Sequence, residues 1–183
     1  RAGPEHRFLQ LDEVAHARVR SDVGGWWIVG KEEIAALVAG GVPYEVVPGV
    51  TSALAAAAEA GVSLTQRGVA RCVAFVTPRV AEGEAPSNWA SSAASADTAV
   101  IYMGAGQAET VAAALIAAGA PRELPVLVIE NASLPGSRRI ALTLEELPEI
   151  ARYGITGPTL IMAGRPFAAA LEASNRDVQQ KFA

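Results

Sequence analysis

Two hydroxyl side chains stand where a strand pattern changes to a helix pattern, in the segment PGVTSA (48–53). A helix begins with unpaired N–H groups, so Thr51 and Ser52 could meet the polar end of a ligand there. The same hydroxyls could equally serve as a simple helix cap. The segment is therefore a candidate binding site whose local chemistry leaves both interpretations open.

A methionine occupies a corresponding place in YMGAG (102–106), which ends another predicted strand and leads into a helix. Open α/β sheets bind ligands where strands end, and the polarizable side chain of Met103 could lie against an adenine or a thioether. It could also be an ordinary core residue. Gly104 and Gly106 are not followed by a third glycine at the required spacing, so the segment does not match a dinucleotide-binding motif.

A third apolar strand, PVLVIE (125–130), is followed directly by Asn131. Glu130 and Asn131 could bind a ligand, or Asn131 could bond only to the following turn.

Residues that bind metals are few: His6 and His16 belong to no motif, and no metal site is predicted. The one cysteine, Cys72, begins a predicted buried strand and is expected to be an inert core residue.

These positions lie between strands and helices that alternate along most of the chain. Continuous apolar strands separated by helices are typical of a sheet covered on both faces, and hence of the α/β class. We predict a mixed, mostly parallel five-stranded sheet flanked by helices, with RRIALT (138–143) antiparallel to PVLVIE. The first 30 residues fit this pattern poorly, although HARVR (16–20) could be an edge strand. The predicted strands are 44–47, 72–77, 98–104, 125–130, 138–143 and 158–164, and the predicted helices are 31–40, 51–61 and 107–119, with another beginning at LEELPEIA (144–151).

The composition is that of a well-filled soluble domain rather than a disordered or membrane chain. Of the 183 residues, 51% are hydrophobic and 19% are charged, enough apolar material for a sizeable core. The net charge of -4 argues against nucleic acid as a partner, since binding to phosphates requires a basic surface. No apolar run approaches the roughly 18 residues of a membrane span. We expect no membrane association and a cytoplasmic location.

Taken in order, the segments from about Lys31 to Gly164 resemble the tetrapyrrole methylases, and among them the uroporphyrinogen-III C-methyltransferases of sirohaem and cobalamin synthesis. The resemblance implies a homodimer that binds S-adenosylmethionine, or its product S-adenosylhomocysteine, between two α/β domains and methylates a carbon of a tetrapyrrole such as uroporphyrinogen III. A precorrin methyltransferase and a non-catalytic cofactor-binding or dimerisation module are the alternatives. The fragments that carry the resemblance are GVPYEVVPGVTSALAAAAEAGVSLTQR, FVT, WA, TAVIYMG, LIAAG, LPVLVIENAS, TLEEL and GPTLIMAG.

The resemblance also implies which residues contact the cofactor. Several are small or apolar residues at strand ends, which are the positions already selected by the local patterns. An ungapped count back from Thr51 places SDV (21–23) where the family has Gly-Gly-Asp, which leaves Asp22 one place away from the family's carboxylate. The implied cofactor contacts are Asp22, Trp26, Thr51, Ser52, Met103, Ala132, Pro158, Thr159 and Leu160.

The N-terminal part departs from the family pattern. The glycine-rich opening motif is absent, so residues 1–47 are expected to be the remnant of an N-terminal α/β domain and residues 48–183 the C-terminal domain. The proposed catalytic lysine of the family would lie just before Arg1, and no catalytic residue is identified in the chain. Arg67 and Arg79 are candidate partners for the carboxylates of a tetrapyrrole.

Overall fold

The computed structural model describes residues 18–21, 25–28, 31–41, 44–47, 49–80, 85 and 87–181. The chain divides into two compact units, Arg1–Thr51 and Ser52–Ala183. The division falls between a strand that ends at Val47 and a helix that begins at Ser52. No helix among the described residues is long and apolar enough to cross a membrane.

The first unit contains a small antiparallel sheet with one helix. Strand β1 (Arg18–Ser21) lies between β2 (Gly25–Ile28) and β3 (Tyr44–Val47), and α1 (Lys31–Ala39) connects β2 to β3. The prediction of an edge strand near residues 16–20 is therefore wrong, because β1 has a partner on both sides. Strand β2 was not predicted, since its adjacent tryptophans and glycines do not alternate.

The second unit contains a five-stranded sheet with helices against both faces, which confirms the predicted α/β class. The predicted bounds of the strands 125–130 and 138–143 coincide with the observed ones. The segment after β7 forms three-ten turns at Leu147–Tyr153 in place of the predicted helix. The elements are α2 (Ser52–Ala60), β4 (Val73–Val76), α3 (Trp89–Ser95), β5 (Thr98–Ile101), α4 (Ala108–Ala117), β6 (Pro125–Glu130), β7 (Arg138–Thr143), β8 (Thr159–Gly164) and α5 (Ala168–Lys181).

The sheet is mixed, in the order β4-β5-β8-β6-β7, but it is mostly antiparallel rather than mostly parallel. Only β4 and β5 form a parallel pair, whereas β8 runs antiparallel to both β5 and β6. The helical crossover from β5 to β6 does make those two strands parallel to each other, as predicted. The prediction of a mostly parallel sheet is wrong because β8 lies between β5 and β6 and runs in the opposite direction. Strand β7 pairs antiparallel with β6, which confirms that prediction.

Alternate residues of the central strands point to opposite faces of the sheet and fill two separate cores. Along β8, Ile161 and Ala163 pack with α3 and α4, whereas Leu160 and Met162 pack with α2 and with Phe167 before α5. Helix α2 presents only alanines to the sheet, and Ala53 and Ala56 are fully buried. Small side chains allow its backbone to approach the strands closely. The helix is thereby brought next to the strand ends described below.

Candidate functional site

The ends of β5 and β6 and the start of β8 meet at one edge of the sheet. Ile101 at the end of β5 pairs with Ile161 of β8, and Glu130 at the end of β6 pairs with Thr159. This register places the segments that begin at Tyr102, Asn131 and Pro158 beside one another. The structure thus brings together two of the segments that the sequence patterns selected separately, and the start of β8, which the family resemblance implies. We call this place the strand-end edge.

Three residues at the strand-end edge have a backbone conformation that side chains other than glycine rarely adopt. Met103 has φ 53°, Asn131 has φ 55° and Ser133 has φ 62°, and they are the only described non-glycine residues with positive φ. Each such residue costs on the order of 1–3 kcal/mol and persists only where its surroundings enforce it. Such strain concentrates at binding sites. Met103 is itself a predicted contact, and Asn131 and Ser133 lie on either side of another, Ala132.

The N-terminus of α2 supplies an unpaired polar group to the second unit. The Oγ atom of Ser52 is buried and has no hydrogen-bond partner in the described structure. A buried hydroxyl without a partner costs free energy unless a ligand or water completes its bonding. Ala53, the next residue, belongs to the apolar cluster that also includes Leu160 and, at its margin, Met103 and Ala132. The start of α2 and the strand-end edge therefore belong to one packed region.

Glu130 is the electrostatic centre of this edge. Its side chain is only 3% exposed, and its Oε1 accepts hydrogen bonds from the N–H groups of Thr156 and Gly157, both at 2.7 Å. Its Oε2 accepts a hydrogen bond from Nε of Arg138, which also forms an ion pair with it. The Arg138 bond first, and then the two backbone donors, lower the pKa of Glu130 from 4.5 to about 2. The carboxylate is therefore ionised and immobile at neutral pH.

Arg138 extends this network to the chain that precedes β8. Its two terminal nitrogens donate to the carbonyl oxygens of Tyr153 and Gly154, at 2.8 and 3.1 Å. Together with the bonds that Glu130 accepts from Thr156 and Gly157, these contacts hold residues 153–157 against the end of β6. The segment 158–160, which contains three predicted cofactor contacts, is fixed in consequence.

Asn131 and Gly157 fit against each other where β6 leaves the sheet. The N–H of Asn131 donates to the carbonyl oxygen of Pro158 at 2.8 Å. A Cβ atom added at Gly157 would overlap the amide group of Asn131. Any other residue at position 157 would therefore force the Asn131 side chain to move.

Six of the nine predicted contacts lie in the second unit: Ser52 begins α2, and the other five are at the strand-end edge. Thr159 and Leu160 are buried, at 5% and 2% exposure, so Pro158 is the exposed residue among these three. The other three predicted contacts lie elsewhere. Thr51 and Trp26 belong to the first unit, and Asp22 lies outside the described residues.

Several residues that shape the site were not predicted. Glu59 accepts hydrogen bonds from Ser133 and Ser137; like Arg138 and Gly157, it acts through contacts distant in sequence that no local pattern marks. Glu130, by contrast, was selected with Asn131 as a possible ligand-binding residue at the end of a strand. The prediction that Cys72 is a buried core residue is wrong, because it is exposed just before β4. In the part of the chain that the structure describes, no three His, Cys, Asp or Glu residues are grouped to hold a metal ion.

Comparison with known proteins relates this arrangement to one family. The sequence profile of the Tetrapyrrole (Corrin/Porphyrin) Methylases matches residues 27–148. The chain is 40% identical to the sirohaem synthase of Azotobacter vinelandii over 136 residues, and 38% identical to that of Tolumonas auensis over 174 residues. These alignments cover 74% and 91% of this chain but only 29% and 37% of the relatives. The chain thus spans about a third of the length of these curated relatives.

Solved structures show the same relationship. A uroporphyrin-III C-methyltransferase from Thermus thermophilus, complexed with S-adenosylhomocysteine, is similar with a TM-score of 0.66 and 36% identity. The match covers 76% of this chain and 61% of that one. A cobalt precorrin-4 methyltransferase is similar with a TM-score of 0.65 and 29% identity, over 73% of this chain and 56% of that one.

Proposed function

Because the chain belongs to the tetrapyrrole (corrin/porphyrin) methylase family, we propose that it binds S-adenosylmethionine at the strand-end edge and methylates a carbon of a tetrapyrrole such as uroporphyrinogen III. The observation that carries the proposal is the position of the strained backbone. Every described non-glycine residue with positive φ lies at, or next to, a contact that the family resemblance implies. Strain gathered at one sheet edge is a feature of binding sites.

The residues at this edge fit the cofactor. S-adenosylmethionine, when bound, supplies an electrophilic methyl group on a positively charged sulfur. The buried hydroxyl of Ser52 and the N–H groups at the start of α2 would bind polar atoms of the amino acid part. Met103, Ala132 and the start of β8 would offer backbone groups and apolar surface to the adenine and ribose.

The contribution of this chain to the reaction is to bind the methyl donor and to orient it towards the substrate. Holding the methyl donor beside a nucleophilic ring carbon turns an encounter of two molecules into a reaction within one complex. The hydrogen-bonded strand ends are suited to this task, because the network around Glu130 fixes the edge before any ligand arrives. Arg67 and Arg79 are exposed and remain our candidates for contacting substrate carboxylates.

The substrate could also be a precorrin, a second candidate that the similarity to the cobalt precorrin-4 methyltransferase supports. We further propose that the protein acts as a homodimer in the cytoplasm. Light scattering during size-exclusion chromatography tests the dimer.

Calorimetric titration of the 183-residue chain with S-adenosylhomocysteine tests the proposed function. We expect saturable one-site binding, weakened by Ser52→Ala and unchanged by Ser63→Ala, which removes a hydroxyl from an exposed position. Absence of binding would contradict the methyltransferase proposal. If the chain binds, incubation with labelled methyl donor and either uroporphyrinogen III or a precorrin identifies the acceptor. Binding without transfer to either one would favour the non-catalytic module.

A further inference from the structure

The loop that joins β6 to β7, Asn131–Ser137, carries a proposed cofactor contact in a strained conformation. Asn131 and Ser133 have positive φ, and Ala132 lies between them. Hydrogen bonds within the loop, from Leu134 N–H to Asn131 O and from Ser137 N–H to Leu134 O, close its turns at 2.9 and 3.2 Å. These bonds link the loop to itself and do not fix it to the rest of the unit.

Glu59, in the last turn of α2, supplies the link from the middle and end of the loop to a helix. Its Oε2 accepts a hydrogen bond from the N–H of Ser133 at 2.5 Å, and its Oε1 accepts one from the hydroxyl of Ser137. Arg139, just after the loop, donates to the backbone carbonyl oxygen of Glu59 at 3.4 Å. One carboxylate therefore bonds to a left-handed residue and to the far end of the same loop.

We propose that Glu59 is a positioning residue for the cofactor site, which holds the Asn131–Ser137 loop in the conformation that presents Ala132 to S-adenosylmethionine. The inference rests on the proposed function and adds a residue that would not touch the cofactor. Glu59 acts through the backbone of Ser133. Its helix begins at Ser52, so the same α2 would contact the cofactor at its first residue and hold the loop at its last turn.

The charge state of Glu59 suits this role. The hydrogen bond from Ser137 first, and then that from Ser133, lower the pKa of the Glu59 carboxyl below its usual 4.5, and the nearby Arg139 contributes in the same direction. Both oxygens are therefore acceptors at neutral pH. No other described side chain is hydrogen-bonded to the N–H of Ser133.

The test measures the dissociation constant of S-adenosylhomocysteine for variants of the 183-residue chain. Glu59→Ala should weaken binding about tenfold, because the loop then spends most of its time outside the strained conformation. Glu59→Gln should stay within about threefold of wild type, since an amide can accept from Ser133 while donating to Ser137. Glu123→Ala removes an exposed carboxylate before β6 and should change nothing.

A second substitution distinguishes loop positioning from loss of charge or of folding. Glycine adopts positive φ without strain, so Ser133→Gly added to Glu59→Ala should restore most of the lost affinity. Hydrogen exchange in free Glu59→Ala should be faster in residues 131–137 and unchanged in β8. Loss of affinity that Ser133→Gly does not recover, or wild-type affinity in Glu59→Ala, would overturn the proposal while the methyltransferase assignment stands. If the wild-type chain does not bind, both proposals fail.

Discussion

Replacing Glu130 by glutamine should remove a large part of the stability of the second unit and the part of its acid sensitivity that comes from Glu130. The substitution keeps the size of the side chain and one acceptor for the N–H groups of Thr156 and Gly157. It replaces Oε2, the acceptor for Arg138, with an amide that can only donate. Two donors then face each other inside a site that is only 3% exposed.

The size of the effect follows from the ionisation of Glu130. Its pKa is lowered from 4.5 to about 2, and since one pKa unit corresponds to about 1.4 kcal/mol, the native structure stabilises the charged form by about 3 kcal/mol. Arg138 is 43% exposed, so solvent screens part of this interaction and we expect a loss of about 2 kcal/mol for Glu130→Gln at pH 7.

The pH dependence has a definite sign. A carboxyl whose pKa is lower in the folded state stabilises the protein fully above its unfolded pKa, and the contribution disappears as the pH falls through the folded pKa. Wild type should therefore lose about 2 kcal/mol from Glu130 between about pH 5 and pH 2, and Glu130→Gln should lose none of it.

Urea unfolding at a series of pH values from 7 to 3 measures both effects, with Glu123→Gln as the exposed control. The reasoning would be refuted if Glu130→Gln were as stable as wild type at pH 7. It would also be refuted if the two proteins lost stability in parallel as the pH falls. A double-mutant cycle with Arg138→Met should give a coupling of at least about 1 kcal/mol.

Three further substitutions test other parts of the structure. Ser52→Ala should raise the free energy of unfolding by up to about 1 kcal/mol, because it removes an unpaired buried hydroxyl, yet weaken S-adenosylhomocysteine binding about fivefold in calorimetry. Gly157→Ala should displace Asn131 and weaken the same binding about tenfold; unchanged affinity would contradict the packing described. Ile161→Ala, at a fully buried position, should cost about 2–5 kcal/mol in urea unfolding, against less than about 1 kcal/mol for the 60% exposed Val38→Ala.

Local patterns in the sequence predicted the elements of the second unit well. The bounds of β6 and β7 coincide with the prediction, because apolar runs and alternation are properties of neighbouring residues. The place of β8 between β5 and β6 could not be predicted in this way. Strand pairing depends on contacts between distant segments, and nothing within PTLIMAG (158–164) identifies its partners.

The same distinction applies to the candidate site. Ser52 and Met103 were selected because they follow strand patterns, which place residues at a sheet edge in any α/β fold. Glu59 was not selected, since its partners Ser133 and Ser137 are 74 and 78 residues away. A helix ending in Glu-Ala-Gly shows no sign of such a role until the chain is folded.

The position of β8 has a consequence for how the polypeptide folds during synthesis. It is the last strand in the chain yet the third of five in the sheet, between β5 and β6. Until Gly164 has left the ribosome, β5 lacks its second neighbour and β6 is paired only with β7, so both have an unprotected backbone edge. Exposed strand edges of incomplete chains promote aggregation, so this unit should be most prone to aggregate before β8 has left the ribosome.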